Sequence, residues 1–302
     1  MPTNHKIILG NSQQMPELTD GSIQLMVTSP PYPMVKMWDA LFAQADPEIA
    51  KLWQKLTEDC NEQTVTKIYD GMHAYLAKVW QETYRVLSDG GIVCINIGDA
   101  TRRLNDKFKL FPNHSRIIET CEKIGFTTLP YILWKKPTTK PKYKGKGAFL
   151  GSGLLPPNGY VTIDCEFILL FRKGVLRKFP PKDKKRYESG LTIKQRNELF
   201  TQIWTVKGIR QKTSELERRT AAYPYKIADR LTRMFSIKGD TVLDPFLGSG
   251  TTTMAAFKNG RNSVGYEIDE HLLASIKKRI SEKTTDIPIE VQFTRRSLDL
   301  LC

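Results

Sequence analysis

Cysteine is scarce in this sequence, and its spacing excludes the protein classes that depend on it. The 302 residues include five cysteines, an odd number, and none of them forms a C-x-x-C pair. A disulfide framework usually has an even number of cysteines, and a zinc ribbon needs C-x-x-C pairs. We therefore expect neither disulfides nor a bound metal, and a chain suited to a reducing compartment.

Long hydrophobic runs are also missing. The longest apolar run near the middle of the chain is Phe167–Phe171, whereas a membrane-spanning helix needs about 20 apolar residues. The first residues, MPTNHK, lack the apolar stretch of a secretory signal. We therefore expect a cytoplasmic protein with no membrane partner.

Acidic residues are outnumbered, and the basic excess is local. Lys and Arg total 46 against 32 Asp and Glu, a formal charge of +14. Residues 135–146 contain six lysines and no acid, and residues 172–219 contain fifteen basic against five acidic residues. Aromatic residues lie in and beside both segments, as suits phosphate contact and base stacking. The pattern favours a surface that binds a polyanion; the alternative is a solvated loop whose lysines serve solubility.

The rest of the composition is that of a folded protein, with 40% hydrophobic and 26% charged residues. The length indicates about two domains, or one large α/β domain carrying an insertion. Apolar periodicity predicts strands at 6–10, 23–27, 92–97, 129–134, 163–171, 241–243 and 263–266. It predicts helices at 47–87, 115–124, 225–235, 251–258 and 270–283. The alternation at both ends predicts a mostly parallel sheet with helices on both faces.

A glycine-rich turn between a predicted strand and a predicted helix indicates a ligand site. The turn reads D-P-F-L-G-S-G-T-T from Asp244, and its glycines let the backbone approach a ligand closely. Glu267 follows at the tip of the next strand, where a carboxylate can take both hydroxyls of a ribose. The turn is not a P-loop, and Thr253 stands where an NAD site has its third glycine. Taken alone, Asp244 also fits a helix cap and Glu267 a solvated acid.

A second corner follows the predicted strand 23–27. The sequence Ser29-Pro30-Pro31-Tyr32 removes two amide donors and fixes φ, which forces a rigid, extended exit from the sheet. Its hydroxyl, carbonyls and aromatic ring then lie at the carboxyl edge of the strands, where open α/β sheets bind ligands. Such a turn suits a planar group bearing an –NH2. A plain strand-terminating turn is the alternative.

The two corners together resemble the S-adenosylmethionine-dependent DNA methyltransferases that methylate exocyclic amines. T-S-P-P-Y ahead of D-P-F-x-G-S-G-T-T, with a recognition region between them, is similar to the β-type motif order of that family. Similar segments also occur at 85–91, 95–99, 132–137, 166–171 and 223–224. Two positions depart from the family pattern: Asn11 stands where many members have Asp, and Arg219-Thr220 replaces a usual His-Pro.

The resemblance implies an α/β, Rossmann-like methyltransferase fold: a mostly parallel, doubly wound sheet with circularly permuted motif order and an inserted basic target-recognition region. The implied boundaries are 1–171 for the catalytic part of the methyltransferase domain, 172–219 for the target-recognition insertion and 220–302 for the cofactor-binding part.

The resemblance also implies which residues act, without a metal or a covalent intermediate. The cofactor, S-adenosyl-L-methionine, would be held by Asn11, Thr28, Tyr223, Asp244, Pro245, Phe246, Gly248, Ser249, Gly250, Thr251 and Glu267. The catalytic motif would be Ser29, Pro30, Pro31 and Tyr32. In it, the Ser29 hydroxyl and the Pro30 carbonyl accept from the target amine and Tyr32 stacks on the base. The DNA-binding residues expected in the basic segments are Lys140, Lys142, Lys144, Lys146, Lys184, Lys185, Arg186 and Arg210.

The first residue of the catalytic motif indicates which base is methylated. Within the family, Ser-Pro-Pro-Tyr is more typical of cytosine N4 methylation, and Asp-Pro-Pro-Tyr of adenine N6 methylation. We therefore expect a site-specific enzyme that acts on a flipped cytosine in double-stranded DNA, near the nucleoid of a prokaryotic cell. A restriction–modification or epigenetic marking system, with or without a cognate restriction endonuclease, is the expected setting. Adenine N6 methylation is the alternative, and a DNA-binding protein that has lost catalysis is a more remote one.

Overall fold

The computed structural model describes residues 3–58, 61–104, 107–137, 161, 163–209, 223–281 and 289–295. The strands in these ranges are β1 (Thr3–Leu9), β2 (Ile23–Thr28), β3 (Leu87–Ile97), β4 (Ala100–Leu104), β5 (Lys107–Phe111), β6 (Phe126–Lys135), β7 (Cys165–Lys173), β8 (Ile203–Thr205), β9 (Thr241–Asp244), β10 (Asn262–Glu267) and β11 (Ile289–Arg295). Strands β4 and β5 form an antiparallel hairpin. The others form one sheet in the order β11-β1-β10-β9-β2-β3-β7-β6-β8.

The sheet is mostly parallel. Strand β7 runs antiparallel to its neighbours β3 and β6, and the other neighbouring pairs are parallel. Parallel strands need crossover connections, which helices supply on both faces. The predicted Rossmann-like methyltransferase fold is confirmed.

The helices of the described ranges are α1 (Asp39–Ala45), α2 (Pro47–Glu58), α3 (Glu62–Val86), α4 (Asn113–Ile124), α5 (Lys184–Glu188), α6 (Ile193–Leu199), α7 (Tyr225–Phe235), α8 (Thr251–Lys258) and α9 (His271–Ser281). The helical region predicted at 47–87 is confirmed and consists of two helices. Helix α3 has its own start, where the Asn61 side chain accepts from the Thr64 amide at 2.8 Å. Within the described ranges, no helix combines the length and the apolar character that crossing a membrane requires.

Two hydrophobic layers cover the sheet, because successive residues of a strand point to opposite faces. Met26 and Ile95 pack in the layer that includes the buried side of α3. Leu25, Val27 and Cys94 pack in the other layer, together with α7 and α8. The central strands are therefore apolar on both faces, and polar groups collect at the strand ends.

The ends of the strands define two edges of the sheet. Strands β1, β2, β3, β9 and β10 run parallel and finish at one edge, here called the carboxyl edge; the opposite one is the amino edge. Strand β7 runs the other way, so its first residues, Cys165 and Glu166, also lie at the carboxyl edge. This edge therefore gathers segments that are far apart in the sequence.

The basic segment expected to be an insertion contributes to the main sheet. After β7 the chain passes the amino edge, where Arg177 forms two hydrogen bonds with Asp240, at 2.7 and 2.9 Å. It then returns as β8, which pairs with β6, and Trp204 of β8 is fully buried. Residues 203–205 thus belong to the methyltransferase sheet, and the role of the segment in target recognition stays a prediction. Residues 210–219 lie outside the described ranges.

Candidate active site

The glycine-rich turn after β9 is shaped as the sequence predicts. Gly248 and Gly250 have φ values of +52° and +77°, a left-handed conformation that favours glycine. The Leu247 amide donates to the Tyr266 carbonyl at 2.8 Å, which ties the turn to β10. Helix α8 begins directly afterwards at Thr251, so its first backbone amides face the carboxyl edge. Oriented amides at a helix start favour a negatively charged group of a ligand.

Glu267 ends β10 beside this turn. Its carboxylate accepts from the Gly248 amide at 2.7 Å and from the Ile268 and Asp269 amides, both at 2.9 Å. Burial raises the pKa of Glu267 to about 7, although these three amides favour the ionised form. The Gly10 amide donates to the Glu267 carbonyl at 2.8 Å, so Asn11 lies at the neighbouring strand end. Glu267, predicted to hold the ribose, and Asn11, also predicted to hold the cofactor, therefore lie at adjacent strand ends.

Asp244 is the hydrogen-bonding centre of the same edge. Its carboxylate accepts from Thr28 Oγ1 at 2.6 Å, from Thr252 Oγ1 at 2.5 Å and from the Phe246 amide at 3.1 Å. Thr252 Oγ1 also lies 2.5 Å from Tyr223 Oη. Because the hydrogen of Thr252 points to Asp244, Tyr223 is the donor in that contact. Burial raises the pKa of Asp244 to about 6, against the hydrogen bonds of Thr252, Thr28 and Phe246.

The other residues predicted to hold the cofactor also lie at this edge. Pro245 is buried, and the Phe246 ring meets Trp80 edge-on at 6.1 Å between ring centroids. Ser249 Oγ lies 3.4 Å from Thr251 Oγ1 at the start of α8. The structure thus brings together the predicted cofactor residues from β1, β2, β9, β10 and the segment before α7.

The chemistry of these side chains fits S-adenosyl-L-methionine. Asp244 and Glu267 are carboxylates with raised pKa values, and in the described part of the chain no Lys or Arg forms an ion pair with either. Hydroxyl donors and a positively charged ligand would both stabilise their ionised forms. A ribose supplies the hydroxyls, and a sulfonium and an ammonium group supply the positive charge.

The Ser29-Pro30-Pro31-Tyr32 corner stands next to this site, since Thr28 is bonded to Asp244. The two prolines are buried, and Ser29 is half-buried at the sheet edge. Ser29 Oγ lies 3.2 Å from Tyr32 Oη. The Tyr32 ring lies against Gly98, where a Cβ atom would come within 3.0 Å of Tyr32 Cε2. The stacking of Tyr32 on a target base stays a prediction.

Three further polar residues join this corner, and the sequence reasoning did not name them as site residues. Asn96 Nδ2 donates to Tyr32 Oη at 2.7 Å and to Glu166 Oε2 at 2.8 Å. Tyr32 Oη donates to Glu166 Oε2 at 2.8 Å, and Lys136 pairs with the other oxygen of Glu166. One signal was available: Asn96 is a polar residue within an otherwise apolar strand. Glu166 opens the segment 166–171 that is similar to the family, but its place at this edge depends on the reversed direction of β7.

The predicted DNA-binding residues are only partly described. Lys140, Lys142, Lys144, Lys146 and Arg210 lie outside the described ranges. Lys184, Lys185 and Arg186 are on α5, away from Ser29: Lys185 reaches Gly239 just before β9, at the amino edge. The Arg186 guanidinium stacks over Phe179 at 4.6 Å. Their contact with DNA stays a prediction, and the structure does not bring them together with the catalytic corner.

Comparison with known proteins finds similarity to DNA methyltransferases, as the geometry of the site suggests. The DNA methylase family matches residues 23–278. The Type II methyltransferase M.MjaI of Methanocaldococcus jannaschii is 55% identical over 300 residues, which cover 97% of each chain. The Type II methyltransferase M.MthZI of Methanothermobacter thermautotrophicus is 46% identical over 287 residues, which cover 93% of this chain and 78% of that one.

A solved structure is similar over nearly the whole chain. TTHA0409 of Thermus thermophilus, described as a putative DNA modification methylase and complexed with S-adenosyl-L-methionine, is 27% identical with a TM-score of 0.71. The similarity covers 95% of this chain and 99% of that one. The family match spans both corners, in the order catalytic corner first and cofactor turn second. The chain therefore belongs to the S-adenosyl-L-methionine-dependent DNA methylases that act on exocyclic amines, in their β-type arrangement.

Proposed function

We propose that this DNA methyltransferase transfers the methyl group to the exocyclic N4 amine of a flipped cytosine in double-stranded DNA. The observation that carries the proposal is the placement of Ser29. A neutral hydroxyl follows Thr28, whose own hydroxyl is bonded to Asp244 in the cofactor site at 2.6 Å. The reacting position thus offers hydrogen-bond acceptors without a carboxylate in the motif itself, the form that the family resemblance associates with cytosine.

The residues of the corner would prepare a poor nucleophile. The lone pair of an exocyclic amine is delocalised into the ring of the base. When bound, S-adenosyl-L-methionine supplies a sulfonium methyl group. The Ser29 oxygen and the Pro30 carbonyl would accept the two amine hydrogens and draw the nitrogen toward tetrahedral geometry, which localises its lone pair. A serine hydroxyl is not a strong base at neutral pH, so the proton leaves after the methyl group has arrived.

The target base would have to leave the duplex to reach this corner. Extruding a base costs a few kcal/mol, which phosphate contacts from the basic segments would offset. Proposed contacts are those of Lys140, Lys142, Lys144, Lys146 and Arg210, together with Lys184, Lys185 and Arg186.

The biological setting would be a restriction–modification system. Two Type II methyltransferases are 55% and 46% identical to this chain, which supports a site-specific enzyme with a cognate restriction endonuclease as its functional partner. The expected location is the cytoplasm of a prokaryotic cell, on the nucleoid.

Mass spectrometry and modified-base sequencing of DNA from cells that express the chain test the proposal. We expect N4-methylcytosine at one recurring sequence, and far less of it with Ser29→Ala. N6-methyladenine would overturn the base assignment, and 5-methylcytosine would overturn the mechanism as well. Cofactor binding without methylation of any DNA would mean that the fold has lost catalysis.

A further inference from the structure

The catalytic corner contains a carboxylate that the methyl transfer described above does not use. Glu166 accepts from Tyr32 Oη and from Asn96 Nδ2, both at 2.8 Å, and pairs with Lys136. In the described part of the chain, no other carboxylate is hydrogen-bonded to Ser29 or Tyr32. Hydrogen bonds therefore connect Ser29, at the reacting position, through Tyr32 to a single carboxylate, Glu166.

Counting hydrogens fixes the direction of each bond in this cluster. Tyr32 has one hydroxyl hydrogen, which it donates to Glu166, while its oxygen accepts from Asn96 at 2.7 Å. In the 3.2 Å contact between Ser29 and Tyr32 the donor is therefore Ser29. Ser29 Oγ accepts one long contact from Asn96 Nδ2 at 3.4 Å, and its other lone pair is left to accept a hydrogen from a target amine. Burial and the neighbouring Glu166 raise the pKa of Tyr32 well above its ordinary value, so the phenol holds its proton.

We propose that Glu166 is the terminal acceptor of the proton released by methyl transfer, reached through the hydroxyls of Ser29 and Tyr32. This inference rests on the proposed function. As the nitrogen lone pair forms the C–N bond, the C–S bond breaks and its electrons stay on sulfur. The amine proton passes to Ser29 Oγ, the proton of Ser29 to Tyr32 Oη, and that of Tyr32 to Glu166 Oε2. Both hydroxyls end with one hydrogen, and Glu166 becomes a neutral acid that later releases its proton to water.

Other charged groups surround Glu166, and any test has to separate them from it. Lys136 follows β6 and its side chain is 40% exposed, which places the ion pair at the solvent boundary. Asp99 follows β3 and lies 2.8 Å from His114, whose ring stacks on Phe167 of β7. Asp164 precedes β7 and accepts from the Cys165 thiol at 3.4 Å. The test therefore has to change Glu166 itself and leave Asp99, Asp164 and His114 in place.

Single-turnover methyl transfer, measured in the full-length protein at saturating cofactor and duplex DNA, tests the relay. Glu166→Gln keeps the shape but cannot take a proton, and Tyr32→Phe keeps the aromatic ring but removes the hydroxyl. Each is expected to lower the rate by about 10²-fold, within the range of general acid–base effects. Cofactor affinity is expected to stay unchanged in both, because in the described part of the chain neither side chain is hydrogen-bonded to a residue predicted to hold the cofactor. Glu119→Gln, at an exposed glutamate paired with Lys123 at 2.6 Å, is the matched control and leaves the rate unchanged.

Two readouts separate a relay from a merely structural role. The Tyr32→Phe/Glu166→Gln double variant should be no slower than either single variant, since both interrupt one path. Glu166→Asp, which keeps a carboxylate that can take a proton, should retain more of the rate than Glu166→Gln. Additive losses, a Glu166→Asp rate no higher than that of Glu166→Gln, or a wild-type rate in Glu166→Gln would each overturn the inference.

Folding and the base assignment are checked independently. An unchanged unfolding temperature shows that Glu166→Gln is folded. The methylated base is identified for every variant, so a product other than N4-methylcytosine overturns the proposed function, while the dependence of its rate on Glu166 still decides the relay.

Discussion

Thr28 donates to Asp244 at 2.6 Å, although 216 positions separate the two residues. Thr28 is the last residue of β2, which leads into the Ser29-Pro30-Pro31-Tyr32 corner. Asp244 is the first residue of the glycine-rich turn. Neither motif therefore has its final geometry without the other. The order of the motifs along the chain can be permuted because the contact depends on neighbouring strands, β2 and β9, and not on the connections between them.

Thr28→Val tests this link, because valine keeps the shape of threonine and removes the donor. Asp244 would lose one of its three hydrogen bonds, and we expect cofactor affinity to fall about tenfold, the worth of roughly one such bond. Isothermal titration calorimetry measures the change. Thr120→Val removes a hydroxyl bonded to the Arg116 carbonyl at 2.8 Å, far from the site, and should leave affinity unchanged. An equal affinity for Thr28→Val would contradict the link.

Glu267→Ala addresses the ribose contact. Losing a charge-assisted hydrogen bond is worth about 1.5–3 kcal/mol, or roughly 10- to 100-fold in cofactor affinity. The same titration measures it, with the far-UV circular dichroism spectrum as the control for folding. Unchanged affinity in a folded variant would remove Glu267 from the cofactor site.

Cofactor affinity should depend on pH through the same group. Burial raises the pKa of Glu267 from 4.5 to about 7. Its contribution to the stability of the ligand-free protein is therefore lost as pH rises from about 4.5 to about 7. Hydroxyl donors favour the ionised carboxylate, so binding releases a proton and affinity rises with pH up to about 7. Calorimetry in buffers of different ionisation enthalpy counts that proton. In Glu267→Gln, cofactor affinity should still change with pH only through Asp244, whose pKa is about 6.

Ser29→Ala separates positioning from binding. Removing one positioned acceptor at a reacting centre typically lowers kcat by about 10²–10³, while cofactor affinity should stay nearly intact. Ser29→Asp restores an acceptor, now charged, and is expected to keep more activity than Ser29→Ala, with a shift toward adenine. Rates on cytosine- and adenine-containing duplexes measure both effects. A wild-type kcat in Ser29→Ala would show that the hydroxyl does not position the amine.

The basic segments predict a salt-dependent affinity for DNA. Replacing Lys140, Lys142, Lys144 and Lys146 with Gln should flatten the plot of log affinity against log salt by about 0.9 per lost phosphate contact. Replacing Lys184, Lys185 and Arg186 with Gln tests the amino edge in the same way. We expect the slope to flatten in this variant as well. Fluorescence anisotropy with a duplex measures both slopes. An unchanged slope would show that the replaced residues are solvated and do not contact phosphates.

Much of the fold could be predicted because its signals are local. The strand at 241–243, the turn after it and the helix from Thr251 are encoded within a few consecutive residues. The carboxyl-edge position of Glu267 and Ser29 follows from strand direction alone. The same reasoning explains why the residues predicted to hold the cofactor lie at one edge, because parallel strands bring their ends together.

The parts that escaped prediction depend on contacts between distant residues. Strand β8 has three residues, too few for a periodic signal, and it exists because Trp204 is buried next to β6. Glu166 lies 134 positions from Tyr32, and only the antiparallel course of β7 brings the two together. The helix start at Asn61 could not be predicted, because the apolar spacing of residues 47–87 is helical on both sides of it.

The shared carboxylate of Asp244 couples the predicted binding of the cofactor to the unfolding of several elements. Through Thr28, Thr252 and Tyr223 it connects β2, β9, α8 and the segment before α7, so these elements should melt as one cooperative unit. A ligand that stabilises the ionised carboxylate protects that entire unit, by about 2.7 kcal/mol at a concentration 100 times its Kd. The melting temperature of the whole domain is therefore a direct gauge of cofactor occupancy, and it needs no DNA.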